Sequence, residues 1–322
     1  KCWNPRFLDA IASPMELNVI SRHLALHLET QIPRQAEFAQ VYRYSVLPAG
    51  KLFRPSLVWA LALDLGENTP TDENSNHAFL ASAVEIHHAY TLIHDDLPCM
   101  DDDYVRRGRP SVHQAFGQWQ ALLAGDGLLN ASYGLLSNIN SPNLGKVLRL
   151  FSKYLGPQGL IQGQVSDLSG EISQSFEKLL SAHDQKTGKL IQVSILASYL
   201  LTEKFSYRIF IDLLKLGFHM GIVFQLLDDF TEFTESSLSS HERMVNPWLH
   251  FAKEAELTLN KGIDEIERIT CRHDLKNLKK MITGYYLNIS NKLDDGVENL
   301  KLNGISPLTA NSVSNFIGKA YH

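Results

Sequence analysis

The chain has 322 residues, 44% of them hydrophobic and 20% charged, with a formal charge of −5. That much apolar material excludes a disordered or fibrous chain, and the acidic balance excludes a uniformly basic, nucleic-acid-binding surface, so no nucleic acid is expected as a partner. The length admits two ordinary domains or one large helical one.

Cys2, Cys99 and Cys271 form no CxxC pair, so neither a disulfide framework nor a thiolate zinc site is implied, and a reducing cytoplasm is the expected compartment. Apolar runs such as Leu57 to Leu63 and Ile195 to Leu201 are too short to cross a bilayer, and no basic-then-apolar signal opens the sequence at Lys1. No stable membrane insertion is expected.

Apolar residues recur at three- and four-residue spacing almost throughout, while sustained period-2 alternation is hard to find. The fold class is therefore all-α. In chain order the pattern predicts helices over 15–30, 34–47, 52–65, 76–96, 118–137, 144–155, 158–169, 176–201, 205–234, 247–270, 274–293 and 307–320. Pro33, Pro48, Pro70, Pro98, Pro110, Pro142, Pro157 and Pro307 fall between these segments or at their ends, where a missing N–H costs least. No linker or repeat interrupts them, so residues 1–322 are expected to form one domain.

Residues 94 to 109 hold five aspartates and three arginines. The helix before them places Leu80, Val84, His88, Thr91 and Asp95 on one face, so Asp95 continues a stripe that starts apolar and should point inward. Pro98 cannot continue the helix, which would turn the chain and bring Asp101 back towards Asp95. Two convergent carboxylates at a helix end suit a hard cation, chiefly Mg²⁺. A solvated charged face is the bland alternative for such a run.

A second acidic group lies at Asp228, Asp229 and Glu232. Four-residue spacing puts Asp228 and Glu232 on one helix face, in line with Phe210, Leu214, Gly217, Gly221 and Phe224. Inward-facing like charges repel unless cations intervene, phosphate is the natural bridging ligand, and Arg106 and Arg107 could neutralise the remainder. Other motifs fail: no phosphate-binding GxxxxGK[ST] loop occurs, and Gly125-Asp126-Gly127 lacks the third glycine of a dinucleotide turn. Pro98 interrupts an EF-hand reading, and an HD-type phosphohydrolase reading of His94-Asp95 leaves the second acidic group unexplained.

Together these residues resemble the trans-type prenyl diphosphate synthase family, most closely its bacterial farnesyl-making members. The resemblance runs from about Gly50 to Glu235. DDxxxxD followed by RR is matched by Asp95, Asp96, Asp101, Arg106 and Arg107, and GKxxRP by Gly50 to Pro55. GQxxDL is matched by Gly163 to Leu168, KTG by Lys186 to Gly188, and the second aspartate-rich motif by Phe224-Gln225 with Asp228-Asp229.

What the resemblance implies is a bundle of antiparallel helices around a central cavity, usually a homodimer, with the acidic motifs facing each other and three Mg²⁺ ions bridging them to an allylic diphosphate. Asp95, Asp101, Asp228 and, in the place of the family's last aspartate, Glu232 would hold metal, with Asp96 completing the first motif. Arg106, Lys186, Thr187 and Gln225 would contact the allylic diphosphate. Lys51, Arg54, His88 and Arg107 would bind isopentenyl diphosphate. Tyr90, five residues before Asp95, stands where farnesyl-making members carry an aromatic stop, although helical geometry alone favours Thr91, about 40° from Asp95 at ~100° per residue.

The chain departs from the family at Glu232 and in the segment Ser236 to Pro247, which is short and lysine-free and where Arg243 is the candidate replacement cation. That segment motivates the alternative of a non-catalytic, synthase-like binding or regulatory subunit.

Overall fold

Helices start where a side chain can take up a backbone N–H that has no partner inside the helix. Ser75 accepts from the Ala78 N–H at 3.2 Å, Ser175 from Lys178 at 3.2 Å and Asn246 from Trp248 at 3.0 Å. The computed structural model describes residues 14–34, 36–67, 72–170, 175–202, 205–235, 238 and 240–319. Cys2 and residues 236, 237 and 239 of the lysine-free segment lie outside the described residues. The chain divides into two compact units: 1–149 with 197–203, and 150–196 with 204–322.

The first unit contains α1 (Pro14–Gln31), α2 (Ala39–Val46), α3 (Phe53–Asp64) and α4 (Asn76–Asp95), then a hairpin of β1 (Val105–Arg106) and β2 (Arg109–Pro110). After it come α5 (Val112–Ala115), α6 (Gln118–Leu136) and the start of α7 (Leu144–Leu155). The unit is organised around α4, which packs against α6, α3, α1 and α2. Ala78, Ala81, Ala83 and Ala89 on α4 are all buried, and such small side chains let neighbours approach from several sides. The closest approach is to α6, where a Cβ on Gly125 would collide with the His94 imidazole.

The second unit contains α8 (Leu160–Leu168), α9 (Phe176–His183), a π-helical turn (Asp184–Gly188) and most of α10 (Lys189–Leu200). Next come α11 (Tyr207–Thr231) with a 3₁₀ turn (Glu232–Thr234), α12 (Ser240–Val245), α13 (Pro247–His250), α14 (Ala252–Arg272), α15 (Lys276–Asp295), α16 (Val297–Leu302) and α17 (Pro307–Lys319). Its central element is α11, which packs on α14, α15, α9, α13 and the π turn. Two glycine contacts set that packing. A Cβ on Gly221 would lie 2.5 Å from the Gly188 Cα, and one on Gly217 would lie 3.0 Å from the Gln192 Cα.

The all-α class holds, with one two-residue hairpin among the described residues. Three expectations need correction. The segment 176–201 is not one regular helix, because the turn 184–188 holds an extra residue; such a bulge leaves no mark in hydrophobic spacing. The segment 247–270 breaks at Phe251, whose backbone (φ −138°, ψ 38°) leaves the helical region. Finally, Tyr207–Thr234 contains an 18-residue window of mean hydropathy 1.6, long and apolar enough by length and composition to cross a bilayer, although a core helix meets the same criterion and half of that window is buried within the protein.

Candidate active site

In the first unit the carboxylates follow from how α4 ends. Pro98 stops the helix, and the Asp101 N–H donates to the Asp95 carbonyl at 2.9 Å, so the chain does fold back as its sequence predicts. Asp102 takes a left-handed φ of 52° to complete the turn. Along the α4 stripe Leu80 and Val84 are buried, whereas His88, Thr91 and Asp95 are half-buried and Asp101 is exposed. The deeply buried aspartate is Asp96, which accepts from Arg106 Nε at 2.9 Å and also from its Nη2. Arg106 Nη2 also donates to Asp103 at 2.7 Å. Burial opposes the Arg106 charge, but Asp96, Asp103 and Asp95 outweigh it and hold the guanidinium firmly protonated.

A cationic cluster forms on a neighbouring part of the unit. Arg107 reaches Glu85 at 3.8 Å and folds over Gly50, where a Cβ would lie 2.9 Å from the guanidinium. Glycine in GKxxRP thus makes room for the second arginine of the RR pair. Burial lowers the Arg54 guanidinium to about 10, with Glu85 pulling it up and Arg107 pushing it down. Burial raises the Glu85 carboxyl, and Arg107 and Arg54 draw it back. His88 is held well below its ordinary range by burial and then by Arg54, Arg107, Arg106 and His87, so its ring is neutral. Lys51 is exposed.

Tyr90 is 4% exposed and packs edge-on to His87 at 4.6 Å. Thr91 donates its hydroxyl to the His88 carbonyl at 2.8 Å.

In the second unit the π turn and α11 join in one hydrogen-bonded chain. Thr187 Oγ1 donates to Gln225 Oε1 at 3.0 Å, and Gln225 Nε2 donates to Asp229 Oδ1 at 2.7 Å. Lys186 Nζ donates to Asp167 at 2.5 Å. The structure therefore brings Lys186, Thr187 and Gln225 together with the second acidic group.

The register of that group differs from expectation: Asp229 is the buried aspartate and Asp228 is exposed. On α11 the buried stripe runs through Leu213, Leu216, Met220, Val223, Leu227 and Phe230, while Phe210, Leu214 and Phe224 are half-buried. The helix is apolar on more than one side, so residue types alone left the stripe's centre ambiguous. Glu232 also sits just past the α-helix, in the 3₁₀ turn, where Asn246 Nδ2 donates to it at 3.1 Å.

Oxygen donors dominate both sets. The Asp229 carboxyl is raised well above its ordinary range by burial, then by Glu232, with Asp228 and Asp167 adding and the Gln225 bond opposing. Its Oδ2 accepts no hydrogen bond among the described residues. A group of like charges around an unsatisfied buried oxygen fits a hard cation, which would relieve both penalties. Among the described residues no three acidic, histidine or cysteine side chains already converge on one point. Water or phosphate oxygens would complete such a shell, as is usual for Mg²⁺.

Sequence reasoning missed Glu85, His183 and Asn246. His183 Nε2 lies 3.7 Å from Asp229 Oδ2, and burial lowers its ring to about 4. The signal for Glu85 was present: it is the one carboxylate in the helix before its terminal Asp95, flanked by Val84 and Ile86 and three residues before His88.

The profile of the polyprenyl synthetase family matches residues 35–244. A farnesyl diphosphate synthase of Bacillus subtilis (strain 168) is 35% identical over 241 residues, covering 70% of this chain and 79% of that protein. A chloroplastic geranylgeranyl pyrophosphate synthase of Capsicum annuum is 38% identical over 205 residues, 62% of this chain, which spans just over half (54%) of that protein. The crystal structure of a geranyltransferase from Legionella pneumophila superposes with a TM-score of 0.71 at 26% identity, covering 88% of this chain and 98% of that one.

Proposed function

We propose that this chain, which belongs to the polyprenyl synthetase family, adds isopentenyl diphosphate once to a ten-carbon or twice in succession to a five-carbon allylic diphosphate, releasing one diphosphate per addition and giving a fifteen-carbon farnesyl product. The observation that carries the reading is the 2.9 Å bond from Asp101 N–H to the Asp95 carbonyl, which folds the first carboxylate set into a turn beside Arg106. Similarity to both fifteen- and twenty-carbon synthases leaves product length to Tyr90, whose buried ring occupies space a longer chain would need.

Asp95 and Asp101 would hold Mg²⁺ in the first unit; in the second, Asp228 and Glu232 would, with the unsatisfied Oδ2 of Asp229 as a further donor. Bound there, the metal supplies neutralisation of charge on the departing diphosphate, worth more in the transition state than before it. The chain's own residues do the rest. Arg106, fixed by Asp96 and Asp103, offers a charge-assisted donor to phosphate oxygen. Lys186, Thr187 and Gln225 orient the allylic diphosphate, while Lys51, Arg54, His88 and Arg107 take the diphosphate of the five-carbon partner.

Because His88 is neutral, it serves as a hydrogen-bond donor rather than a fourth charge. The allylic cation must be kept from water until the partner's double bond attacks it; the cation this leaves on the isopentenyl unit loses a proton from the adjacent carbon to the released diphosphate, and that C–H electron pair becomes the product's new double bond. The reading includes a homodimer in a reducing compartment. The test is to supply the chain with isopentenyl and geranyl diphosphates and measure diphosphate release. Release is expected with Mg²⁺ and none with chelator, and no release at saturating Mg²⁺ rejects the reading in favour of a non-catalytic subunit.

A further inference from the structure

We infer that Glu85 is a positioning residue for substrate binding: buried in α4, it aims the Arg54 and Arg107 guanidiniums at the diphosphate of the five-carbon substrate. The inference rests on the binding reading above and adds to it a residue that touches no substrate.

A carboxylate 3% exposed between buried Val84 and Ile86 is expensive unless cations face it, and an apolar side chain there would pack without that cost. A purely structural ion pair would be balanced one to one and close. Here two guanidiniums, Arg54 and Arg107, bear on the one buried carboxylate of Glu85, beside a neutral histidine. The Arg107–Glu85 separation of 3.8 Å is too long for a hydrogen bond, so the acid steers the guanidinium without consuming its N–H groups. Arg54 Nε likewise has no hydrogen-bond partner among the described residues.

Two backbone features serve the same end. Arg107, with φ 55°, is the first residue of the two-residue hairpin turn it shares with Gly108 (φ 75°), which fixes its backbone, and Gly50 leaves the space its guanidinium fills. A fixed turn, a missing Cβ and a buried acid converge on one pair of cations with donors to spare. A diphosphate, with its several oxygens, is the ligand chemistry that such a pair fits.

The test compares the wild type with Glu85→Gln and Glu85→Asp, measuring turnover with both substrates and, in chelator, the affinity for inorganic diphosphate. Glu85→Gln is expected to raise KM for isopentenyl diphosphate about tenfold, to leave KM for geranyl diphosphate within twofold, and to weaken inorganic diphosphate binding about tenfold, with Glu85→Asp recovering part of the loss. If charge alone mattered, removing a negative group would tighten inorganic diphosphate, and unchanged or tighter binding overturns the inference. Should Glu85→Gln not fold, Gly50→Ala displaces Arg107 with all charges retained. It is expected to give the same selective rise in KM, and an unchanged KM there overturns the inference equally. A wild type that forms no product rejects the functional reading itself, and the inference with it; normal wild-type turnover with unshifted variants rejects the inference alone.

Discussion

Gly221 lies where α11 meets the π turn that carries Lys186 and Thr187. In Gly221→Ala the new Cβ would stand 2.5 Å from the Gly188 Cα. That atom is backbone, so no rotamer change can relieve the contact. Carbons rest about 3.5–4.0 Å apart, so the turn and the helix must separate by about 1 Å. Overpacking of this kind costs about 1–3 kcal/mol, and the better helix propensity of alanine returns about 1 kcal/mol, for a net destabilisation of about 0–2 kcal/mol.

The functional cost is larger. The same displacement stretches the 3.0 Å Thr187–Gln225 bond beyond hydrogen-bonding range and shifts Lys186 relative to Asp229. A misplacement of that size in a positioning group lowers catalysis about 10²-fold. The assay is kcat/KM for geranyl diphosphate alongside a thermal melt, with Gly145→Ala as control because nothing lies within 4 Å of a Cβ at that position. Gly221→Ala is expected to melt slightly lower and to lose about two orders of magnitude in kcat/KM, while the control changes neither. Activity within twofold of wild type in Gly221→Ala would refute the idea that this helix contact sets the geometry of the allylic half of the site.

Three further outcomes are expected. Tyr90→Ala opens buried volume without touching the carboxylates and should lengthen the product beyond fifteen carbons by chromatography; an unchanged product distribution places the floor elsewhere. Arg243→Ala should raise KM for the allylic substrate if Arg243, exposed near the end of α12, takes the part of the family's lysine; unchanged kinetics make that segment dispensable. Finally, the Arg54 guanidinium is charged below about 10 and neutral above it, so the affinity for inorganic diphosphate in chelator should fall as pH rises through that value. Titration calorimetry across pH 8–11, with no fall below pH 11, would contradict the placement of Arg54 at the anion.

The turn of the first acidic group was legible in the sequence: the stop at Pro98 and the return of Asp101 to Asp95 follow from proline chemistry and are present. The stripe drawn through Asp95 is buried only at Leu80 and Val84, and the aspartate buried at the end of α4 is Asp96. The second half was harder, because α11 is apolar on several sides and the stripe could be drawn through Asp228 or beside it; packing on α14 and the π turn buries Asp229 instead. The π turn itself was invisible, since one extra residue in a helix alters hydrogen bonding without altering composition. The hairpin was missed because two-residue strands are too short to show period-2 alternation.

Glu85 was overlooked for a different reason: a single acid among apolar residues reads as noise until the arginines opposite it are located. Arg109 is a similar case. Its guanidinium stacks on Tyr44 at 4.0 Å and donates to the Tyr44 and Leu47 carbonyls, tying the hairpin to the end of α2, a link between residues more than sixty positions apart.

The central claim is that the two carboxylate sets serve one reaction, and a double-mutant cycle in product formation tests it most directly. Turnover of isopentenyl and geranyl diphosphates is measured at saturating Mg²⁺ for the wild type, Asp95→Ala, Asp228→Ala and the double variant. Each single variant is expected to lose about three orders of magnitude or more while still melting cooperatively, and the double variant to lose little beyond the worse single, as groups that act as a unit do. Near-normal turnover in either single variant, or losses that simply multiply in the double, would contradict the claim.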